Sequence, residues 1–78
     1  MDLVTRHARA RMQQRGIRFE DLEALLDFGR EIPAGRGRDL VFFDKRSRAR
    51  LANTYAIVGS DGMVITVGHR YRRIPRGR

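Results

Sequence analysis

The sequence predicts an α+β fold, two N-terminal helices packed on an antiparallel sheet of three to four strands. Three observations predict it. Up to Gly29, apolar residues recur at helical spacing and each run stops at a glycine. Past Gly29 the pattern changes to short apolar runs divided by turn residues, which is how strands read. Ser60-Asp61-Gly62 then joins two such runs as a hairpin.

Taken in order, Val4, Ala8 and Met12 make a narrow apolar stripe four residues apart, and Gly16 offers a left-handed stop. The first helix therefore buries one side and displays the other. Phe19, Leu22, Leu25 and Leu26 mark the second helix, with Glu20 and Asp21 favourable in its first turn and Gly29 just past its last. Arg18 is a poor N-cap for it. Residues 30–32 read as an edge strand cut short by Pro33, and 33–38 as a loop. Residues 40–44, 51–58 and 63–70 read as the main strands.

If Asp61-Gly62 is a two-residue loop, Ser60 pairs with Met63, Val58 faces Ile65, Ala56 faces Val67 and Thr54 faces His69. One sheet face then carries the apolar set and ends in His69, and the helices should cover it. The other face shows Asn53, Tyr55, Ile57, Thr66 and Arg70, a candidate binding surface on which Tyr55 could stack a base. A slip by one residue would exchange the two faces.

Residues 1–78 make one small domain, of a size whose single core gives marginal stability, so a partner protein or a homo-oligomer is an expectation. Cysteine is absent, which leaves no disulfide or thiolate metal site and makes a reducing cytoplasm the simplest compartment. No apolar run approaches the ~20 residues of a membrane span, and no signal pattern opens the sequence. The expected protein is therefore soluble, with no membrane partner.

Charge is the stronger constraint. Lysine plus arginine number 17 against 9 acidic residues, a net +8, and every basic residue but Lys45 is arginine. Such an excess attracts polyanions, and arginine suits bidentate phosphate contacts. Five acids (Glu20, Asp21, Glu23, Asp27 and Glu31) cluster in the second-helix region, so the molecule should be polarised. Its positive surface would come from 6–18, 36–50 and 70–78, the last including a basic tail from residue 71.

The row His7, Arg11, Arg15 places an imidazole and two guanidiniums on one face of the first helix. That is one proton-exchanging group beside two fixed cations. RNA brings its own nucleophile, the 2′-hydroxyl. An enzyme then needs a base, a cation for the charge growing on phosphorus, and an acid for the departing oxygen. His7 is the candidate base or acid and Arg11 the candidate phosphorane stabiliser, with Arg70 a second cation. His69 or a water would be the other proton-transfer partner. Lys45, Arg46, Arg48 and Arg50, with Arg15, Arg72 and Arg73, would hold neighbouring phosphates.

The stretch His7-Ala8-Arg9 through Arg11-Met12 and Arg15-Gly16-Ile17 is similar to a small bacterial family, domain of unknown function 4258. Glu20-Asp21-Leu22 and Val64-Ile65-Thr66-Val67 continue the resemblance. That family is grouped with RelE-like and BrnT-like toxins, alongside barnase, EndoU and colicin nucleases. The resemblance implies a curved antiparallel sheet under two helices and a metal-independent RNase toxin paired with a cognate antitoxin. The functional residues it implies are His7 and Arg11 on the helix and Thr66 on a strand. Two departures stand out: Arg18 replaces a serine-type helix cap, and the 68–73 stretch is longer and more basic than is common in the family.

Other chemistries fit poorly. Two histidines 62 residues apart without cysteine or a well-spaced carboxylate do not make a zinc site, and no cofactor is implied. Gly35-Arg36-Gly37 lacks the strand-to-helix setting of a phosphate loop, and neither Ser47 nor Ser60 has a neighbouring base. Two further readings fit the charge: a non-catalytic RNA, ribosome or DNA binder, and an interaction module whose basic surface docks an acidic protein.

Overall fold

A computed structural model describes residues 4–43 and 53–69. Lys45, Arg46, Arg48, Arg50, Arg70, Arg72 and Arg73, all expected phosphate contacts, lie outside those residues. Within them the order is α1 (Arg6–Arg15), α2 (Phe19–Phe28), β1 (Arg30–Gly35), β2 (Arg38–Phe42), β3 (Thr54–Val58) and β4 (Val64–His69). The four strands form one antiparallel meander in the order β1-β2-β3-β4. The expected α+β fold is present.

The ends of α1 are fixed by neighbouring backbone. Thr5 is its N-cap: the Thr5 hydroxyl accepts from the Ala8 N–H at 3.1 Å and donates to the Ile65 carbonyl at 2.9 Å. The Thr5 N–H also donates to the Val64 carbonyl at 3.0 Å, and Val4 bridges Val64 in parallel. The helix is thus tethered to β4 before it begins. At its other end Gly16 takes φ 67°, its N–H points to the Gln13 carbonyl, and Ile17 N–H donates to the Met12 carbonyl at 2.9 Å. That pair of hydrogen bonds is a Schellman stop, with Ile17 and Met12 both buried beside it.

Helix α2 repairs its poor cap from within. Asp21, three residues after Arg18, accepts the Arg18 backbone N–H at 3.1 Å, half of a capping box. Leu22 and Leu25 are fully buried, whereas Phe19, expected on the apolar face, is 41% exposed beneath the Arg9 guanidinium at 5.8 Å. The core lies between the helices and one sheet face. Val4, Ala8, Met12, Ile17, Leu22 and Leu25 meet Val41, Phe43, Ala56, Val64 and Val67 there.

Two strand expectations need correction. Pro33 does not end β1, which continues to Gly35 with Pro33 opposite Asp39. As an edge strand, β1 can spare the N–H that proline lacks. The loop expected over 33–38 shrinks to Arg36-Gly37, whose φ values of 57° and 73° make this the type I′ turn.

The type I′ turn expected at Asp61-Gly62 is absent. Gly62 N–H donates to the Gly59 carbonyl and Gly59 N–H to the Met63 carbonyl, both at 2.9 Å, which closes a three-residue loop over 60–62. Only Gly62 is left-handed there, at φ 83°. A type I turn with a glycine bulge asks for one such residue, and spares Asp61 that strain. The Asp61 carboxylate instead accepts from Met63 N–H at 2.9 Å. Val58 consequently pairs with Val64 rather than Ile65, and a bulge at Ile65 restores the expected pairs Ile57–Thr66, Ala56–Val67 and Thr54–His69. The lengthened loop and the bulge cancel from Thr66 onward, so the face assignment stands there, with Thr54, Ala56 and Val67 buried and Tyr55, Ile57 and Thr66 only partly so; nearer the turn it fails, because Val64 and not Ile65 is the residue buried in the core.

Candidate functional site

The tether at Thr5 sets α1 alongside the outer edge of β4. Its exposed row meets the strand there, and His7 Nε2 lies 3.1 Å from Thr66 Oγ1, a hydrogen bond spanning 59 residues of sequence. His7 sits at Thr66, and Arg11 lies one turn further along α1. Opposite Gly68 on β3 stands Tyr55. A Cβ on Gly68 would lie 3.0 Å from the Tyr55 hydroxyl, so glycine is what lets the ring lie across β4.

The outer edge thus sets an imidazole against a hydroxyl, with a phenol ring lying across the same strand. Thr66 holds one ring nitrogen of His7, an exposed side chain whose Nδ1 has no partner among the described residues. Arg11 is half-buried, and its Nε is fully buried with no hydrogen-bond acceptor among the described residues. An unsatisfied buried donor costs about 1–3 kcal/mol, which an apolar residue of similar length would avoid.

A second polar concavity lies round the end of β4. Arg15, Gly16, Ile17, Arg18, Asp21, Thr54 and His69 line a cleft of about 280 Å³ where the α1–α2 turn meets the sheet end. His69 pairs with Thr54 and is in phase with buried Val67, on the inner sheet face. Thr66 and its partner His7 belong to the outer edge. The two histidines, expected to act as one proton-transfer pair, occupy separate sites because alternate strand residues point to opposite faces. Arg15 joins His69 in the cleft.

A family model described as Domain of unknown function (DUF4258) matches residues 4–69. The chain belongs to that family. No curated protein and no solved structure matches it. The matched span includes His7, Arg11, Thr66 and His69 and ends before the basic tail. No helix of the described residues is long and apolar enough to cross a membrane.

Of the expected site residues within the described part, His7 and Thr66 meet at the β4 edge, Tyr55 lies across the same strand and Arg11 stands one helical turn beyond His7, whereas Arg15 and His69 line the cleft. Sequence reasoning missed Arg18, Asp21 and Thr54 as cleft residues. Two signals pointed to them: Asp21 stands at capping-box spacing from Arg18, and the hairpin register sets Thr54 against His69.

Proposed function

We propose that this chain is a metal-independent endoribonuclease of the RelE/BrnT-like kind, the toxin of a bacterial toxin–antitoxin pair. The observation that carries the reading is the His7–Thr66 hydrogen bond with Arg11 one helical turn further along α1. Thr66 orients the ring, so that Nδ1 can take the proton of an RNA 2′-hydroxyl. The 2′-oxygen then attacks phosphorus, the bond to the 5′-oxygen breaks, and that oxygen takes its proton from water or from protonated His7. Arg11 offsets the negative charge that builds on the phosphoryl oxygens. Tyr55 presents a ring on the same side for a neighbouring base. The net charge of +8 favours RNA or a ribosome as target, and a cognate antitoxin as the protein that covers the site.

The test is cleavage of RNA, free or on translating ribosomes, in excess EDTA. A 2′,3′-cyclic phosphate product and uncleaved 2′-deoxy substrate are expected. Folded His7→Ala should lose about 10²- to 10⁴-fold in rate, the usual cost of removing a positioned proton-transfer group. Cleavage by His7→Ala at the parent's rate would place the chemistry elsewhere. Absence of cleavage with either substrate would leave a basic binding module.

A further inference from the structure

We infer that the cleft between the α1–α2 turn and the end of β4 is a phosphate subsite, built to hold a backbone phosphate of the RNA strand engaged at the His7 edge. The inference rests on the RNA reading of that edge and assigns His69 to anchoring instead of proton transfer. Three groups that can carry positive charge, Arg15, Arg18 and His69, converge on the cleft. The one carboxylate among them, Asp21, is only 7% exposed and already engaged: Oδ2 accepts the Arg18 N–H at 3.1 Å and lies 4.0 Å from Arg18 Nε. Thr54, 3% exposed, is the least exposed of the lining residues.

The local fold fixes the backbone that carries these groups. The Schellman stop at Gly16 fixes Arg15 on one side of a two-residue turn, the Asp21 cap fixes Arg18 on the other, and buried Ile17 pegs the turn to the core. Register with Thr54 fixes His69 across from them. At about 280 Å³ the cleft falls just below the ~300–1,000 Å³ of ordinary small-molecule sites, room for a phosphodiester and its ribose edges more than for a whole nucleotide. Its position matters as much. Arg15 is eight residues from His7 on the same helix face, an axial distance of about 12 Å, with Arg11 between them. A strand anchored at Arg15 and His69 would present a nearby linkage to His7.

Titration of the full chain with a 2′-deoxy oligonucleotide and with inorganic phosphate, followed by NMR, tests this directly. The His69 ring and Arg15 guanidinium signals should move with both ligands. Arg15→Gln and His69→Gln, each retaining the parent's dispersed amide spectrum, should bind the oligonucleotide about tenfold more weakly, as expected for one lost charge-assisted hydrogen bond. Arg15→Gln should also lower the salt slope by about one. In cleavage, both variants should raise KM and leave kcat near the parent's. Shifts confined to His7, Thr66 and Tyr55, with parental affinity in both variants, would overturn the subsite while leaving the nuclease reading intact. Binding at the cleft by a parent protein that cleaves nothing would sustain the subsite and end the nuclease reading.

Discussion

Replacing Arg11 with methionine should make the protein more stable and less active. The Arg11 Nε is buried without an acceptor among the described residues, which costs about 1–3 kcal/mol. Because the side chain as a whole is only half-buried, the rest of the guanidinium keeps part of its hydration, and the low end of that range, about 1 kcal/mol, applies. Methionine has nearly the same helix propensity and adapts to the space of the arginine stem, so neither backbone nor packing should offset the gain. In a domain of this size, about 1 kcal/mol raises Tm by roughly 4–8 °C. Thermal unfolding followed by circular dichroism at fixed salt and pH measures the first half. RNA cleavage at matched protein concentration measures the second, with a loss of about 10²- to 10³-fold expected for a missing charge-stabilising donor. A methionine variant that melts several degrees below the parent would show Arg11 to be a structural residue. Parental cleavage by a stabilised variant would remove Arg11 from the chemistry.

Asp21→Ala removes the hydrogen bond that caps α2 and should lower stability by about 1 kcal/mol, read in the same melting experiment; an unchanged Tm would mean that water caps Arg18 equally well. Arg36 occupies the left-handed region at φ 57° in the type I′ turn, so Arg36→Asn should raise stability by several tenths of a kcal/mol, and a lower urea midpoint would contradict the turn assignment. Gly62→Val forces a β-branched residue to φ 83° and should cost about 1–3 kcal/mol, whereas Ser60→Ala, at an exposed loop position, should leave the midpoint within about 0.5 kcal/mol.

Much of this architecture could be read from local chemistry. Ala8, Met12 and the stop at Gly16 follow from spacing and glycine conformation alone, whereas Val4, expected on the same helical stripe, is buried ahead of the helix as a bridge partner of Val64. The type I′ turn was harder to place, because Asp61-Gly62 and Arg36-Gly37 both offer a glycine. The Asp61 side chain finds a backbone partner in a type I geometry, whereas Arg36-Gly37, with both residues at positive φ, forms the type I′ turn of its own hairpin. Pro33 misled for a similar reason: its missing N–H matters only where a neighbouring strand would use it, and edge position is a tertiary fact. At the candidate site, the period of α1 announced His7 and Arg11. That Thr66 would meet His7 and His69 would not depends on where the helix lies against β4, which the Thr5 and Val4 bonds determine.

Those bonds have a temporal consequence. His7 and Thr66 are separated by 59 residues, and the tether that brings them together runs from Val4 and Thr5 to Val64 and Ile65. During synthesis the helix bearing His7 emerges first and must wait for the final strand before its ring has a partner. On the proposed nuclease function, a nascent chain is harmless to the ribosome making it until β4 has been released and folded.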